Sequence, residues 1–258
     1  MVPVIAYDVI MAQAVNLMLP FARISAFVVA APMIDSTTIP PQIKVILSLF
    51  LAIVVLPMIE VPAGIGWNLG SAILLVQQLV IGFAMALALR VVFGLVHVGG
   101  QMIAQQMGLG FAAMQDPQNG VQVPIVSRFY SIFLILLFMA INGHLVIIEI
   151  LVESFTNWPL TAGLPPHSVW QTLIDWTALV FSGGLQMALP AVIVLLMVNM
   201  SFGVVTRAAP QLNILVVGFP ISLMVGLILI VVTLGSIGVQ MEGFIADVLL
   251  VMRGLVNG

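Results

Sequence analysis

The sequence predicts an all-α membrane protein of about six long apolar helical segments, several of them kinked by proline. Of its 258 residues, 62% are hydrophobic and 6% are charged, whereas a soluble domain carries about 25% charged residues. The longest charge-free runs cover 176–206 and 208–241, and a membrane span needs only about 20 apolar residues. We therefore predict one membrane domain over 1–258 and no soluble domain.

The composition and the absence of motifs exclude several classes of function. Six scattered basic residues cannot form a nucleic-acid-binding surface, and a chain without cysteine has neither disulfides nor thiolate metal sites. HExxH, GxxxxGK[ST], GxSxG and GxGxxG patterns are missing, and the three histidines fall in separate segments. We therefore expect no enzyme activity, no cofactor and no metal. The N-terminus lacks a positively charged region, so we expect the first segment to be retained.

The first apolar segment covers about 9–34 and contains a proline and an arginine. Pro20 removes a backbone donor and should kink the helix. Arg23 near the middle costs about 2.5–3.5 kcal/mol if it faces lipid, so it should face protein or water. Two interpretations stay open: an arginine that snorkels or is paired within the core, or an ion pair between helices or subunits.

The middle of the chain alternates apolar segments and turn sequences. Turns are predicted by proline-rich or glycine-rich sequences at 35–42 and 61–66, and apolar segments at 43–59, 67–89 and 129–148. The last of these should end near Asn142, before an acidic pair, Glu149 and Glu153, which we interpret as a solvated helix end. A loop is then predicted over 154–175, where three tryptophans favour the membrane–water boundary.

The last two segments, 176–206 and 208–241, should form a helical hairpin around a polar turn at 206–213. As helices they would be about 45–50 Å long, against a hydrocarbon core of about 30 Å. Either they are broken at their prolines, or they extend past the bilayer and are covered by protein. The positive-inside rule puts Lys44, Arg90, Arg128 and Arg207 inside, which predicts both termini outside, although Arg253 disagrees.

The stretch 99–120 is polar and rich in glycine, unlike the rest of the chain. Before and within it, small or polar residues fall on one helix face: Arg90, Gly94, His97, Gln101, Gln105 and Gly108. Lipid would leave their polar groups unsatisfied, so this polar face should contact a partner or water. The helix should end near Gly108 or Gly110. The loop that follows contains Asp116-Pro117, where the aspartate is either an intramembrane carboxylate or, as we prefer, a turn former.

Four stretches resemble the FliR/SctT family of type III secretion export-gate proteins, and the resemblance covers nearly the whole chain. They are FARISAFVVAAPMI at 21–34, GGQMIAQQMGLGFAAMQDPQ at 99–118, NGHLVII at 142–148 and RAAPQLNILVVGFPISLMVG at 207–226. The resemblance implies a FliP-like part, 1–175, fused to a FliQ-like hairpin, 176–258. The sequence MGLGFAAMQDP is closer to flagellar than to injectisome members.

The resemblance also implies a role and a site. Members of the family join FliP-like and FliQ-like membrane subunits next to an FlhB-like switch protein. The assembly lies in the bacterial inner membrane at the flagellar basal body, partly raised toward the periplasm, and unfolded flagellar proteins pass through it. The matching pore plug is Met107 to Gln118, with Met107, Phe111 and Met114 as apolar stoppers, Gly108 and Gly110 as hinges, and Asp116 and Pro117 in its turn. Arg23 and Arg207 become buried or inter-subunit charges.

Three alternatives remain at this point. An injectisome export-gate subunit would share the fold and the partners. A small-solute transporter would need a binding site at the middle of the membrane and activity as a purified chain. An intramembrane enzyme would need a catalytic constellation that the sequence does not contain.

Overall fold

In the part that the structure, a computed structural model, describes, the chain folds into α-helices joined by turns. The structure describes residues 2–34, 39–59, 69–109, 125–208 and 214–257, with the side chains of 2–15, 208 and 214–217 left aside. The helices are α1 Val2–Ala30, α2 Pro41–Val55, α3 Leu69–Gln106, α4 Ile125–Ala140, α5 Gly143–Asn157, α6 His167–Ala208 and α7 Ile214–Asn257, and a 3-10 turn, Leu56–Met58, follows α2. The predicted all-α class is confirmed.

Within the described ranges, four helices are long and apolar enough to cross a membrane. They are Pro41–Met58, Leu69–Gln106, His167–Arg207 and Gly218–Asn257. Helices α4 and α5 give a fifth if they form one span, and the described side chains of α1 add a shorter apolar stretch, Asn16–Ala30. Between α4 and α5, Asn142 has φ 57°, a left-handed conformation that asparagine tolerates better than most residues. The predicted break near Asn142 is therefore confirmed.

Three helices are far longer than a bilayer is thick, and none is interrupted. Helices α3, α6 and α7 have 38, 42 and 44 residues, or about 57–66 Å at 1.5 Å per residue. Pro190 lies inside α6 and Pro220 inside α7. Of the two possibilities for the hairpin, broken helices are therefore wrong. That protein covers the helices beyond the bilayer stays a prediction.

Several predicted boundaries were wrong. Helix α3 joins the third apolar segment to the polar-faced helix after it. Helix α5 continues to Asn157 and α6 begins at His167, so most of the loop predicted over 154–175 is helical. Glu149 and Glu153 consequently lie within α5. The helices extend because apolar residues of these flanks, such as Phe155, Val169 and Leu173, are buried, and packing overrides local polarity.

The chain divides into two compact units, each assembled from separate stretches of sequence. The first consists of Met1–Arg90, Asn142–Thr177 and Asp247–Gly258, and the second of Val91–Ile141 and Ala178–Ala246. Each unit draws residues from both sides of position 175, where the sequence predicted a change from a FliP-like to a FliQ-like part. That division stays a prediction about ancestry and assembly.

Tryptophans contribute hydrogen bonds to the first unit. The indole N–H of Trp158 donates to the carbonyl of Val256 at 2.6 Å, and that of Trp176 donates to the carbonyl of Ala88 at 3.0 Å. A buried indole needs such an acceptor. Trp158 therefore joins the end of α5 to the end of α7, and Trp176 joins α6 to the middle of α3.

Candidate functional site

The predicted plug begins where α3 ends, and the structure describes its first residues only. Met107 and Gly108 lie in the turn after α3. The other predicted plug residues lie outside the described part of the chain: Gly110, Phe111, Met114, Asp116 and Pro117. The site is therefore built from the end of α3 and the helices around it, all of them in the second unit.

The end of α3 has the hydrogen bonds of a Schellman motif. The amide of Leu109 donates to Ala104 at 3.1 Å, and the amide of Gly108 donates to Gln105 at 3.0 Å. The motif needs a left-handed residue just past the helix, and Gly108 has φ 82°. The prediction that the helix stops near Gly108 is confirmed, and the physical reason is the conformation that this glycine adopts.

The turn at Met107 and Gly108 packs against α7 through two contacts. The Met107 side chain is 1% exposed and fills the space above Gly226, where an added Cβ would lie 2.7 Å from the Met107 sulfur. An added Cβ on Gly108 would lie 2.8 Å from the Phe219 ring. Met107 is thus packed inside the second unit and does not present a free apolar surface.

An asparagine that sequence reasoning missed joins three helices at this point. Asn199 on α6 donates from Nδ2 to the carbonyl of Gln106 at 3.1 Å, and its Oδ1 accepts from the Ser222 hydroxyl of α7 at 2.8 Å. The signal that could have found it was a single asparagine inside a 42-residue apolar helix, which must find hydrogen-bond partners in apolar surroundings.

The polar face of α3 is partly covered and partly open. Gly99 and Gly100 beside it permit close contact, since an added Cβ would lie 2.9 Å from the carbonyl of Gly184 and 2.6 Å from the α-carbon of Ser127. Ser127 also donates to the carbonyl of His97 at 2.9 Å. Gln101 and Gln105 are exposed. Helix α3 is therefore packed against its own chain around His97, Gly99 and Gly100, and the two glutamines stay exposed.

The arginine at the start of this face lies in the first unit. Arg90 is half-buried and donates from Nε to the carbonyl of Ala30 at 2.6 Å. It thereby joins the end of α1 to α3.

Arg23 is fully buried in the first unit and satisfied by its own chain. Its Nε donates to Gln78 at 2.8 Å, Nη1 to the carbonyl of Ser154 at 2.7 Å, and Nη2 to the carbonyl of Trp158 at 2.9 Å. The guanidinium also lies 4.3 Å from the centroid of the Phe155 ring, a cation–π distance. Of the two interpretations, the core-paired arginine is the one observed, with neutral acceptors in place of a carboxylate among the described residues.

Two further arginines lie on the surface. Arg207 is exposed in the last turn of α6, where a cation is favoured by the helix dipole. Arg253 lies 3.5 Å from Glu149, and both are about half exposed. No group of three or more potential metal ligands occurs among the residues the structure describes.

Comparison with known proteins shows that this chain is similar to bacterial export proteins. Residues 14–248 match the family described as bacterial export proteins, family 1. The flagellar biosynthetic protein FliR of Pectobacterium carotovorum subsp. carotovorum is 36% identical over 81% of this chain and 80% of its own. FliR of Escherichia coli K12 is 31% identical over 92% of this chain and 91% of its own. FliR of Bacillus subtilis 168 is 27% identical over 92% and 93%, respectively.

Proposed function

Because this chain belongs to the bacterial export proteins, family 1, we propose that it is a channel-forming subunit of the flagellar protein export gate. It is a non-enzymatic membrane component of the flagellar export apparatus. In the proposed gate it joins FliP-like and FliQ-like subunits and contacts an FlhB-like protein. It acts in the inner membrane at the basal body, and exported flagellar proteins cross the gate unfolded. The flagellar names of the relatives favour this over an injectisome subunit.

The apolar surface of α6 supports a multi-subunit assembly. Exposed apolar side chains repeat every three or four residues along one face: Phe181, Leu185, Leu189, Ile193, Leu196, Met197, Met200 and Val204. From Phe181 to Val204 this stripe spans about 35 Å of helix, more than the 30 Å or so that hydrocarbon covers. Only 17% of the most apolar part of α6 is buried within the chain. Other apolar protein surfaces would cover the rest.

The anchored end of α3 supports a sealing role for the segment that follows it. The Schellman turn and the packing of Met107 hold residues 107–109, which directly precede this segment. Phe111 and Met114 come next in the sequence, and methionine adapts its packing to varied surroundings, as a seal around different cargo requires. We therefore assign the seal to residues 110–118 and the anchor to Met107 and Gly108.

Native mass measurement after gentle detergent extraction tests the assembly. We expect the chain to leave the membrane bound to two other small hydrophobic proteins. A stable monomer or homo-oligomer, together with solute uptake by the purified chain alone in liposomes, would instead establish the small-solute transporter.

Polar substitutions test the seal. Phe111→Ser with Met114→Ser should raise leakage of small molecules across the inner membrane of cells that carry the complete gate. Leu164→Ser is the matched control, because Leu164 is 52% exposed in another turn and has no assigned role. Equal leakage from the two variants contradicts the sealing role.

A further inference from the structure

At the C-terminus of α3, the carbonyl of Gln106 accepts no hydrogen bond from the Schellman turn. An α-helix leaves its last four carbonyls without partners in the helix. Here the amides of Met107, Leu109 and Gly108 supply bonds to residues 103, 104 and 105. The fourth carbonyl, that of Gln106, accepts from Asn199. The cap of α3 is therefore completed by another helix.

The orientation of the Asn199 amide follows from its partners. A carbonyl oxygen can only accept, so the atom facing Gln106 must be the amide nitrogen. That leaves Oδ1 for the Ser222 hydroxyl, and Ser222 is only 4% exposed. Both arms of the side chain are thus committed, one to α3 and one to α7.

The same face of α7 supplies the apolar half of the contact. Phe219, Ser222 and Gly226 are separated by three and four residues and therefore lie on one helix face. Phe219 covers Gly108, Ser222 binds Asn199, and Gly226 receives Met107. A polar bond and two apolar contacts meet at the end of one helix.

We propose that Asn199 and Ser222 form a latch that fixes the end of α3 to the α6–α7 hairpin and thereby positions the start of the pore seal. The residues act through the end of α3, as positioning residues, and the idea rests on the sealing role proposed above. Release of the latch lets the end of α3 leave the hairpin, so that the seal loses its fixed starting point.

Substitutions of the latch should raise leakage in cells that carry the complete gate. Asn199→Leu keeps the side-chain size and removes both bonds, and Ser222→Ala removes the α7 arm. Loss of one net hydrogen bond should increase the undocked population, and hence leakage, by about two- to tenfold. The controls are Ser201→Ala on α6 and Ser236→Ala on α7, since each hydroxyl is exposed and bonds only a carbonyl of its own helix. Latch variants that leak no more than the controls contradict the proposal.

A reversible crosslink separates positioning from general damage. The chain has no cysteine, so Met107→Cys with Gly226→Cys introduces a single pair where the two residues now touch. Oxidation should lower the leakage of Asn199→Leu to that of the same pair with Asn199 intact, and reduction should restore it. If leakage is the same with the disulfide oxidised and reduced, the result contradicts the latch.

The rate of disulfide formation reports on docking without any assumption about the seal. We expect Asn199→Leu to slow formation of the 107–226 disulfide, because the end of α3 spends less time on α7. If Phe111→Ser with Met114→Ser does not leak, the sealing role fails, and the crosslinking rate still tests the latch. An unchanged rate refutes the latch even if the seal variants leak.

Discussion

Replacing Arg23 with methionine should destabilise the first unit, because it leaves buried hydrogen-bond acceptors without a donor. The side chain is 0% exposed and donates to Gln78, Ser154 and Trp158. Methionine is apolar and unbranched like the arginine stem, so Arg23→Met removes the charge and all of these bonds together.

The magnitude follows from counting the acceptors that lose their donor. The carbonyl of Ser154 also accepts from the amide of Trp158 at 3.1 Å, and the Ser154 hydroxyl donates to Leu151, so Ser154 stays satisfied. The Gln78 oxygen and the Trp158 carbonyl do not. Each buried unsatisfied acceptor costs about 1–3 kcal/mol, and relief of the buried charge offsets part of this. We expect a net loss of about 2–4 kcal/mol in the free energy of unfolding.

The assay is unfolding of the purified chain in mixed micelles, monitored as the loss of the circular dichroism signal of its helices. Arg207→Met is the matched control, because Arg207 is exposed at a helix end and should change stability by less than about 0.5 kcal/mol. A double variant with Gln78→Met should be non-additive by about 0.5–3 kcal/mol, since the two residues share a bond. Equal stability of Arg23→Met and Arg207→Met, or additivity of the double variant, would show that the hydrogen bonds of Arg23 do not stabilise the first unit.

Three further predictions concern packing, the tryptophans and topology. Gly82→Ala should lower the free energy of unfolding by about 1–3 kcal/mol, since the added Cβ would lie 3.0 Å from the Arg23 carbonyl carbon. Gly243→Ala, whose added Cβ would have no atom within 4 Å, should instead raise it by up to about 1 kcal/mol. Unfolding curves that rank the two variants otherwise contradict the observed packing. Trp176→Phe should cost about 0.5–1.5 kcal/mol through the lost bond to Ala88, measured in the same way, and no change means that bond contributes nothing. A membrane-impermeant maleimide applied from outside should label Leu164→Cys and spare Gln42→Cys, and the reverse pattern inverts the predicted topology.

Local chemistry predicted the elements whose cause is local. Low charge and long apolar runs predicted a helical membrane protein, and the glycine at 108 and the asparagine at 142 marked a helix end and a helix break. The signals at 108 and 142 act within one helical turn, and the apolar runs act within single helices. The start of α6 at His167 was missed, because burial of Val169 and Leu173 extends that helix into a sequence that looks like loop.

The resemblance predicted a plug over Met107 to Gln118 but not how the described start of this segment packs. The resemblance implied that Met107 is one of three apolar stoppers. The structure buries it above Gly226, a residue 119 positions away, and no local pattern pairs these two.

By itself, the sequence determined the class of protein, the membrane environment and the need for a partner around Arg23. A charge in an apolar helix must be satisfied, and that requirement is visible in one dimension. Only the tertiary structure decided which groups meet it: Gln78 lies 55 positions from Arg23 and Ser154 lies 131, and Asn199 caps a helix that ends 93 positions earlier. The physical reason is that helix packing, not sequence proximity, selects which polar groups can come within hydrogen-bond distance.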